Sequence, residues 1–355
     1  MKTLNKKVFV LTCTLTAMFF LQNCKKDNPS LPQTANELPA TLNQTSSLAS
    51  VSNIYEVTTL AKGPNLDQPL RLCSAANGML YASSPSNDKI YGITQAGVIS
   101  TKAVLPAGSN VLGLKAGENG TVYAALVLTN KIVKIDKNNR VTNIPVSIGL
   151  NHPFDLAIAP DSTLYIADLE NRRIVKLTRN GTATILAGKT GVSGSADGTR
   201  ANARFNNVMN IRYAADGNLW VTDNDSPTSN DGQKLRKITL NGTVTTFFRL
   251  TKTEPNATIS DFAVAKRDKS FNVTGPENFF LAKRMFNSNG DLLTMVSHLS
   301  NTGVETAITP YTQGYMDGPA NQAKFYVATG ITVKPYGIFV ADQVNFAIRV
   351  IKPKL

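Results

Sequence analysis

The residues best placed to do chemistry are scattered along the chain but share one register. Counting nine positions back from Leu80, Val122, Leu164 and Leu219, each inside a similar apolar segment, gives Arg71, Gly113, Asp155 and Asn210. Asp261 and Gly330 hold the corresponding places further on by local pattern. If these positions converge, Arg71, Asp155, Asn210 and Asp261 surround one space with two carboxylates, an amide and a guanidinium. Such a set can hold Ca2+ or another divalent cation, a carboxylate or a sugar. Arg71 puts a cation where a metal site wants an anion, so the competing reading is a set of water-filled structural polar residues. No cofactor is expected on that reading, and any metal stays unknown.

Other reactive groups are few. His152 and His298 are the only histidines, and the cysteines are Cys13, Cys24 and Cys73. That excludes a disulfide-stapled scaffold and a zinc site built from three or four His/Cys ligands. No Gly-X-Ser-X-Gly elbow, phosphate loop or His-Glu-X-X-His motif occurs, so no catalytic set is expected. Cys73 reads as a small buried hydrophobe. Asp168, Asp223 and Asp342 each follow an apolar strand, with Asn171 and Asn345 three residues beyond two of them. Repeated carboxylates of this kind bond turn N–H groups, with ligand binding as the alternative. Lys89, Lys131, Arg173 and Lys234 share one position, and Lys134, Lys176 and Lys237 another three residues along. Strand alternation puts the two rows on opposite faces, so they read as solvated flanks, with a polyanion surface as the alternative.

The elements that must position these groups form a repeat. Leu80-Tyr81-Ala82, Val122-Tyr123-Ala124, Leu164-Tyr165-Ile166, Leu219-Trp220-Val221, Phe279-Phe280-Leu281 and Ile338-Phe339-Val340 recur at spacings of 42, 42, 55, 60 and 59 residues. Ten residues on, Ile90, Ile132, Ile174 and Ile348 begin a second apolar strand. Asn180-Gly181 and Asn241-Gly242 then predict tight type I′ hairpins into a further strand. A four-stranded antiparallel unit every 40–60 residues predicts an all-β, six-bladed β-propeller. The sixth unit ends without its fourth strand, and Tyr55-Glu56-Val57-Thr58-Thr59-Leu60 matches the outer strand Gly242-Thr243-Val244-Thr245-Thr246-Phe247. The N-terminal strand is therefore expected to complete the last blade and close the ring.

These residues resemble the NHL-repeat family. The nearest match is His152-Pro153-Phe154-Asp155-Leu156-Ala157-Ile158, then Leu164-Tyr165-Ile166-Ala167-Asp168, then Asn171-Arg172-Arg173-Ile174. A decorated linker occurs twice, as Asp197-Gly198 with Ala203 and Phe205 and as Asp317-Gly318 with Ala323 and Phe325. The resemblance covers roughly residues 55–355 and is weakest in the fifth blade, which carries an extra segment around 268–277. It implies a propeller and leaves the activity open. Six-bladed lactonases of the gluconolactonase type are also similar, and they imply inward Glu, Asn and Asp side chains on a divalent cation. The peptide-amidating lyase implies several zinc-binding histidines, which two histidines do not supply.

Composition sets the address. Lys2, Lys6 and Lys7 precede an apolar stretch of about 14 residues, Val8 to Leu21, too short to span a membrane as a helix. Leu21-Gln22-Asn23-Cys24 followed by Lys25-Lys26-Asp27 resembles a bacterial lipoprotein signal, which implies acylation of Cys24. Three segments are expected: a leader at 1–23, a polar lipid-anchored tether at 24–53, and the propeller at 54–355. Removing the leader lowers the formal charge from +13 to +10. The expectation is an outer-membrane lipoprotein of the cell envelope, anchored through acyl chains only. It is expected to be a monomeric binding or scaffold module for a protein or glycan, with nucleic acid not expected as a partner. A divalent-metal-dependent lactonase or lyase with its site at the channel mouth is the alternative.

Overall fold

The computed structural model describes residues 54–224, 232–250, 257–265 and 278–354. The leader, Cys24, the tether, the polar insert at 226–231 and the extra segment at 268–277 lie outside the described residues.

Six antiparallel sheets form the fold, and we number them as blades 1 to 6 by the order of their inner strands. Those strands are Leu72–Ser74, Val111–Ala116, Pro153–Ile158, Asn207–Tyr213, Ala257–Ala265 and Ala328–Lys334. Each contacts the next in chain order and the sixth contacts the first, so the ring is closed. Closure is completed as the sequence match predicts. Tyr55–Lys62 pairs antiparallel with Ala347–Pro353 as the outer strand of blade 6, from Tyr55 opposite Pro353 to Lys62 opposite Ala347. The first and last strands thereby protect each other's edges.

The core is divided among the interfaces. Leu72, Leu114, Leu156, Ile211, Phe262 and Ile331, one per inner strand, are all buried. Each joins a cluster shared with the preceding blade, as Phe262 does with Trp220 and Ile331 with Phe280. No blade could cover these side chains alone, and each buried one contributes about 1.5–3 kcal/mol. Strand alternation turns the intervening residues, among them Arg71, Asp155 and Asp261, away from these clusters.

The two decorated linkers are structural. Gly198–Thr199 adds a short fifth strand to blade 4, and Gly318–Pro319 adds one to blade 6. Ala203, Phe205, Ala323 and Phe325 are fully buried under them.

Two expectations need correcting. Only the glycines of the Asn-Gly turns have positive φ, +88° at Gly181 and +91° at Gly242. The Gly181 N–H bonds the Thr178 carbonyl while the Thr178 N–H bonds that of Thr182, and Thr239 to Thr243 repeats this. These are three-residue loops, a type I turn followed by a left-handed glycine, rather than type I′ turns. The first basic row is also not uniformly solvated. Lys131 is exposed, but Arg173 and Lys234 are buried. Arg173 binds Asp168 at 2.7 Å and donates to the carbonyls of Ile148 and Gly149.

Candidate functional site

The counted positions do form one ring. In blade 3 the register slips where Pro153 faces Asp168 and Asp155 faces Ala167. Equivalent shifts occur in the inner strands of blades 2, 4, 5 and 6. A bulge re-aims the side chain beside it, and here it turns the ring residue towards the channel and the next blade. Two members are glycine for lack of space. A Cβ on Gly113 would lie 2.6 Å from Asp155 Cα, and one on Gly330 would lie 2.4 Å from the Leu70 carbonyl oxygen.

The open mouth expected for Arg71, Asp155, Asn210 and Asp261 is not what the structure shows. The four are only 6%, 1%, 0% and 0% exposed, so the ring is an interior layer of the channel. Asp155 accepts the Leu156 N–H at 2.8 Å and, across the interface, the Ile211 N–H of blade 4 at 3.1 Å. Asp261 repeats this with Phe262 at 2.8 Å and Ile331 of blade 6 at 3.1 Å. Asn210 donates to Thr222 Oγ1 at 3.0 Å and to the Ser260 carbonyl of blade 5 at 3.2 Å. Arg71 Nη1 donates to the carbonyls of Ser260 and Thr329, both at 2.9 Å, with its guanidinium 5.4 Å from the Phe154 ring. Each of the four thus braces one blade to another.

The hub of the site is a residue the ring count passes over. Arg212 lies two positions after Asn210 on the same strand face, and its guanidinium forms ion pairs with both Asp155 and Asp261. Its equivalents in blades 1, 2, 3, 5 and 6 are Cys73, Lys115, Ala157, Ala263 and Thr332, as their pairing with Tyr81, Tyr123, Tyr165, Phe280 and Phe339 shows. Extending the alternation by one step from the first ring is the signal that finds this second one.

Electrostatics separate the two channel arginines. Burial opposes the charge of Arg212, but Asp261 and Asp155 outweigh it and hold its pKa above the usual guanidinium value. For Arg71 burial wins over the same two carboxylates and lowers the pKa. Burial, then the Arg212 charge, push the Lys115 amine down to about 8, against the pull of Asp155, Cys73 and Asp261. Cys73 is buried and free, and burial pushes its thiol up to about 12, which agrees with an inert hydrophobe. Arg71 Nε, Asn210 Oδ1 and Ser260 Oγ are buried without hydrogen-bond partners.

Among the described residues, no three His, Cys, Asp or Glu side chains gather as a metal site would require. The two channel carboxylates face Arg212 and backbone N–H groups instead. Asp168, Asp223 and Asp342 have the bracing role expected of them. They accept backbone N–H groups of Asn151, of Asn206 and Asn207, and of Tyr326 respectively. His152 Nδ1 contacts Asn151 Oδ1 and His298 Nε2 contacts Asn278 Oδ1, both at 2.9 Å, so neither stands beside the channel carboxylates.

Four residues past the first ring, the rim of the channel carries Ala75, Gly117, Ala159, Ala214, Ala265 and Lys334. Lys334 folds aside onto the Gly78 and Met79 carbonyls. Ala75 and Lys334 also border a cavity of about 560 Å³ between blades 1 and 6, lined as well by Asn77, Gln95 and Tyr336.

No known family profile matches the chain, and no curated protein matches it. Solved structures do share its fold. An auxiliary nutrient binding protein from Bacteroides ovatus superposes with a TM-score of 0.64 at 15% identity, covering 85% of this chain and 77% of that one. Virginiamycin B lyase from Staphylococcus aureus gives 0.56 at 15% identity over 84% and 99% of the two chains. A gluconolactonase from Xanthomonas campestris gives 0.58 at 12% identity over 93% and 99%. At such identities the likeness establishes a six-bladed propeller that both binding proteins and enzymes use.

Proposed function

We propose that this chain is a lipid-anchored binding propeller of the bacterial cell envelope, an NHL-like scaffold presented by a tether from Cys24. Its ligand is a glycan or a protein partner. The observation that carries this reading is Arg212. By pairing with Asp155 and Asp261 it turns the carboxylates a metal-dependent enzyme would use into an inter-blade brace. Arg71, Asp155, Asn210 and Asp261 then shape and hold the channel rather than act on substrate. The likeness to a nutrient-binding propeller is consistent with such a role.

The second reading, a divalent-metal-dependent lactonase or lyase, is favoured by the two carboxylates and the amide within one channel layer. Two measurements separate them. The purified chain is expected to bind immobilised envelope glycans or a soluble partner saturably and to leave aldonolactones unhydrolysed with or without Ca2+. Metal-stimulated lactone hydrolysis lost in Asp155→Asn and Asp261→Asn would overturn the binding reading. For the anchor, Cys24→Ser is expected to move the protein from the membrane fraction to the soluble one, and unchanged membrane retention would overturn lipidation.

A further inference from the structure

The channel carries more positive charge than its own architecture neutralises. Arg71, Lys115 and Arg212 face Asp155 and Asp261, three cations against two carboxylates. Both carboxylates are committed to Arg212 and to backbone N–H groups. Lys115 makes no hydrogen bond or ion pair among the described residues, although it lies on an inner strand in the middle of the molecule. The Nε of Arg212 likewise has no partner there. A half-buried cation without an anion is costly, whereas a lysine and a guanidinium edge in the same channel layer match a carboxylate.

The surroundings offer few competing polar groups. Beside Lys115 and Arg212 the second ring holds Ala157, Ala263 and Thr332, so two of its six places carry only a methyl group, each buried in a core between blades. Thr332 Oγ1 is 3.2 Å from Ser74 Oγ, which adds hydroxyls on the far wall. Below them the rim is alanine or glycine at five of six places, its lysine folded away. Lys115 keeps partial exposure while the first ring, one layer in, has almost none.

From this we propose that the channel around Lys115 and Arg212 is a binding site for a small organic carboxylate, such as the acid group of an acidic sugar. This deepens the binding reading above and rests on it. Lys115 supplies the charge that binds, and Arg212 presents a guanidinium edge while holding Asp155 and Asp261. The groups facing Lys115 are Arg212, Asp155, Asp261 and Cys73, and burial keeps the thiol neutral near pH 8, where Lys115 changes charge.

The test is calorimetric titration of the full chain with acetate and galacturonate, with glucose and inorganic phosphate as controls. Saturable carboxylate binding is expected, weakened at least about tenfold in Lys115→Met and partly restored in Lys115→Arg. Affinity is expected to be flat below pH 7.5 and to fall above pH 8, approaching tenfold per pH unit as the free amine deprotonates. No carboxylate binding, binding of phosphate alone, or binding that Lys115→Met leaves unchanged with native stability retained would each overturn the site. A chain that binds a neutral glycan but no carboxylate loses this inference and keeps the binding reading. Turnover of the bound carboxylate would have the opposite effect.

Discussion

Two regions of the molecule use a buried arginine between two aspartates, and they use it differently. In blades 4 and 6 the arrangement is duplicated. Arg236 joins buried Asp223 to half-exposed Asp197, lies 4.8 Å from the Phe205 ring and donates to the Ala196 and Arg204 carbonyls. Arg349 joins Asp342 to Asp317, lies 4.9 Å from Phe325 and donates to the Met316 and Lys324 carbonyls. The outer aspartates then bond the outer strands, Asp197 at Thr246 and Asp317 at Thr59. In the channel the motif occurs once, around Arg212, and leaves Lys115 without an ion-pair partner. Repetition with every charge matched marks a latch that pins a linker. A single copy with surplus charge marks a place where something else is accommodated.

The largest effect that could break this contrast is removal of a latch arginine. Arg349→Met leaves the Asp342 carboxylate buried without its cation, and losing one partner of a buried pair costs about 3–5 kcal/mol. Arg236→Met is expected to cost a similar amount, read as a shift of the urea midpoint. If either were nearly neutral, the latch would be dispensable and the comparison would fail. Arg212→Met is expected to destabilise by up to the same amount, but with a second signature. It frees two facing carboxylates, so millimolar Ca2+ should raise the variant's melting temperature while leaving the parent unchanged. A parent protein stabilised by Ca2+ would show that the cation competes with Arg212 and would revive the metal-dependent reading.

How much of this is legible in the sequence depends on where each partner lies along the chain. The ring of Arg71, Gly113, Asp155, Asn210, Asp261 and Gly330 is legible because one strand repeat fixes its phase in every blade. The closing strand Tyr55–Lys62 is legible because it repeats the pattern of Thr243–Arg249. Arg212 is not found by a single count, since only the next alternate position carries it. The burial of Arg173 is hidden because its carbonyl partners Ile148 and Gly149 sit in an irregular linker, outside any repeat. The turn type is missed because Asn-Gly serves both two- and three-residue loops, and only the Thr178–Thr182 closing pair distinguishes them.

Intermediate effects probe how tightly the channel layer is packed. Gly330→Ala would set a methyl 2.4 Å from the Leu70 carbonyl and 2.8 Å from Arg71 Cα, both backbone atoms. Overpacking of this kind costs about 1–3 kcal/mol. Gly113→Ala meets Asp155 Cα at 2.6 Å and is expected to behave alike, whereas a neutral result by denaturant titration would mean that the blades slide apart freely.

The effect with the sharpest sign is that of Lys115. The folded pKa of Lys115, about 8, lies below its ordinary 10.5, so the charged amine is less stable in the channel than in the unfolded chain. Below pH 8 the amine is charged in both states and the fold bears the full penalty. Between pH 8 and 10.5 the unfolded chain binds more protons, and this group makes stability rise with pH. Lys115→Met is therefore expected to stabilise the ligand-free protein at pH 7, with the gain shrinking as pH passes from 8 to 10.5. Urea melts at pH 7 and pH 10, in buffers without carboxylates, measure it. Removing a latch arginine should give the same deficit at both values, so a pH-independent Lys115→Met effect would erase the distinction between the two regions.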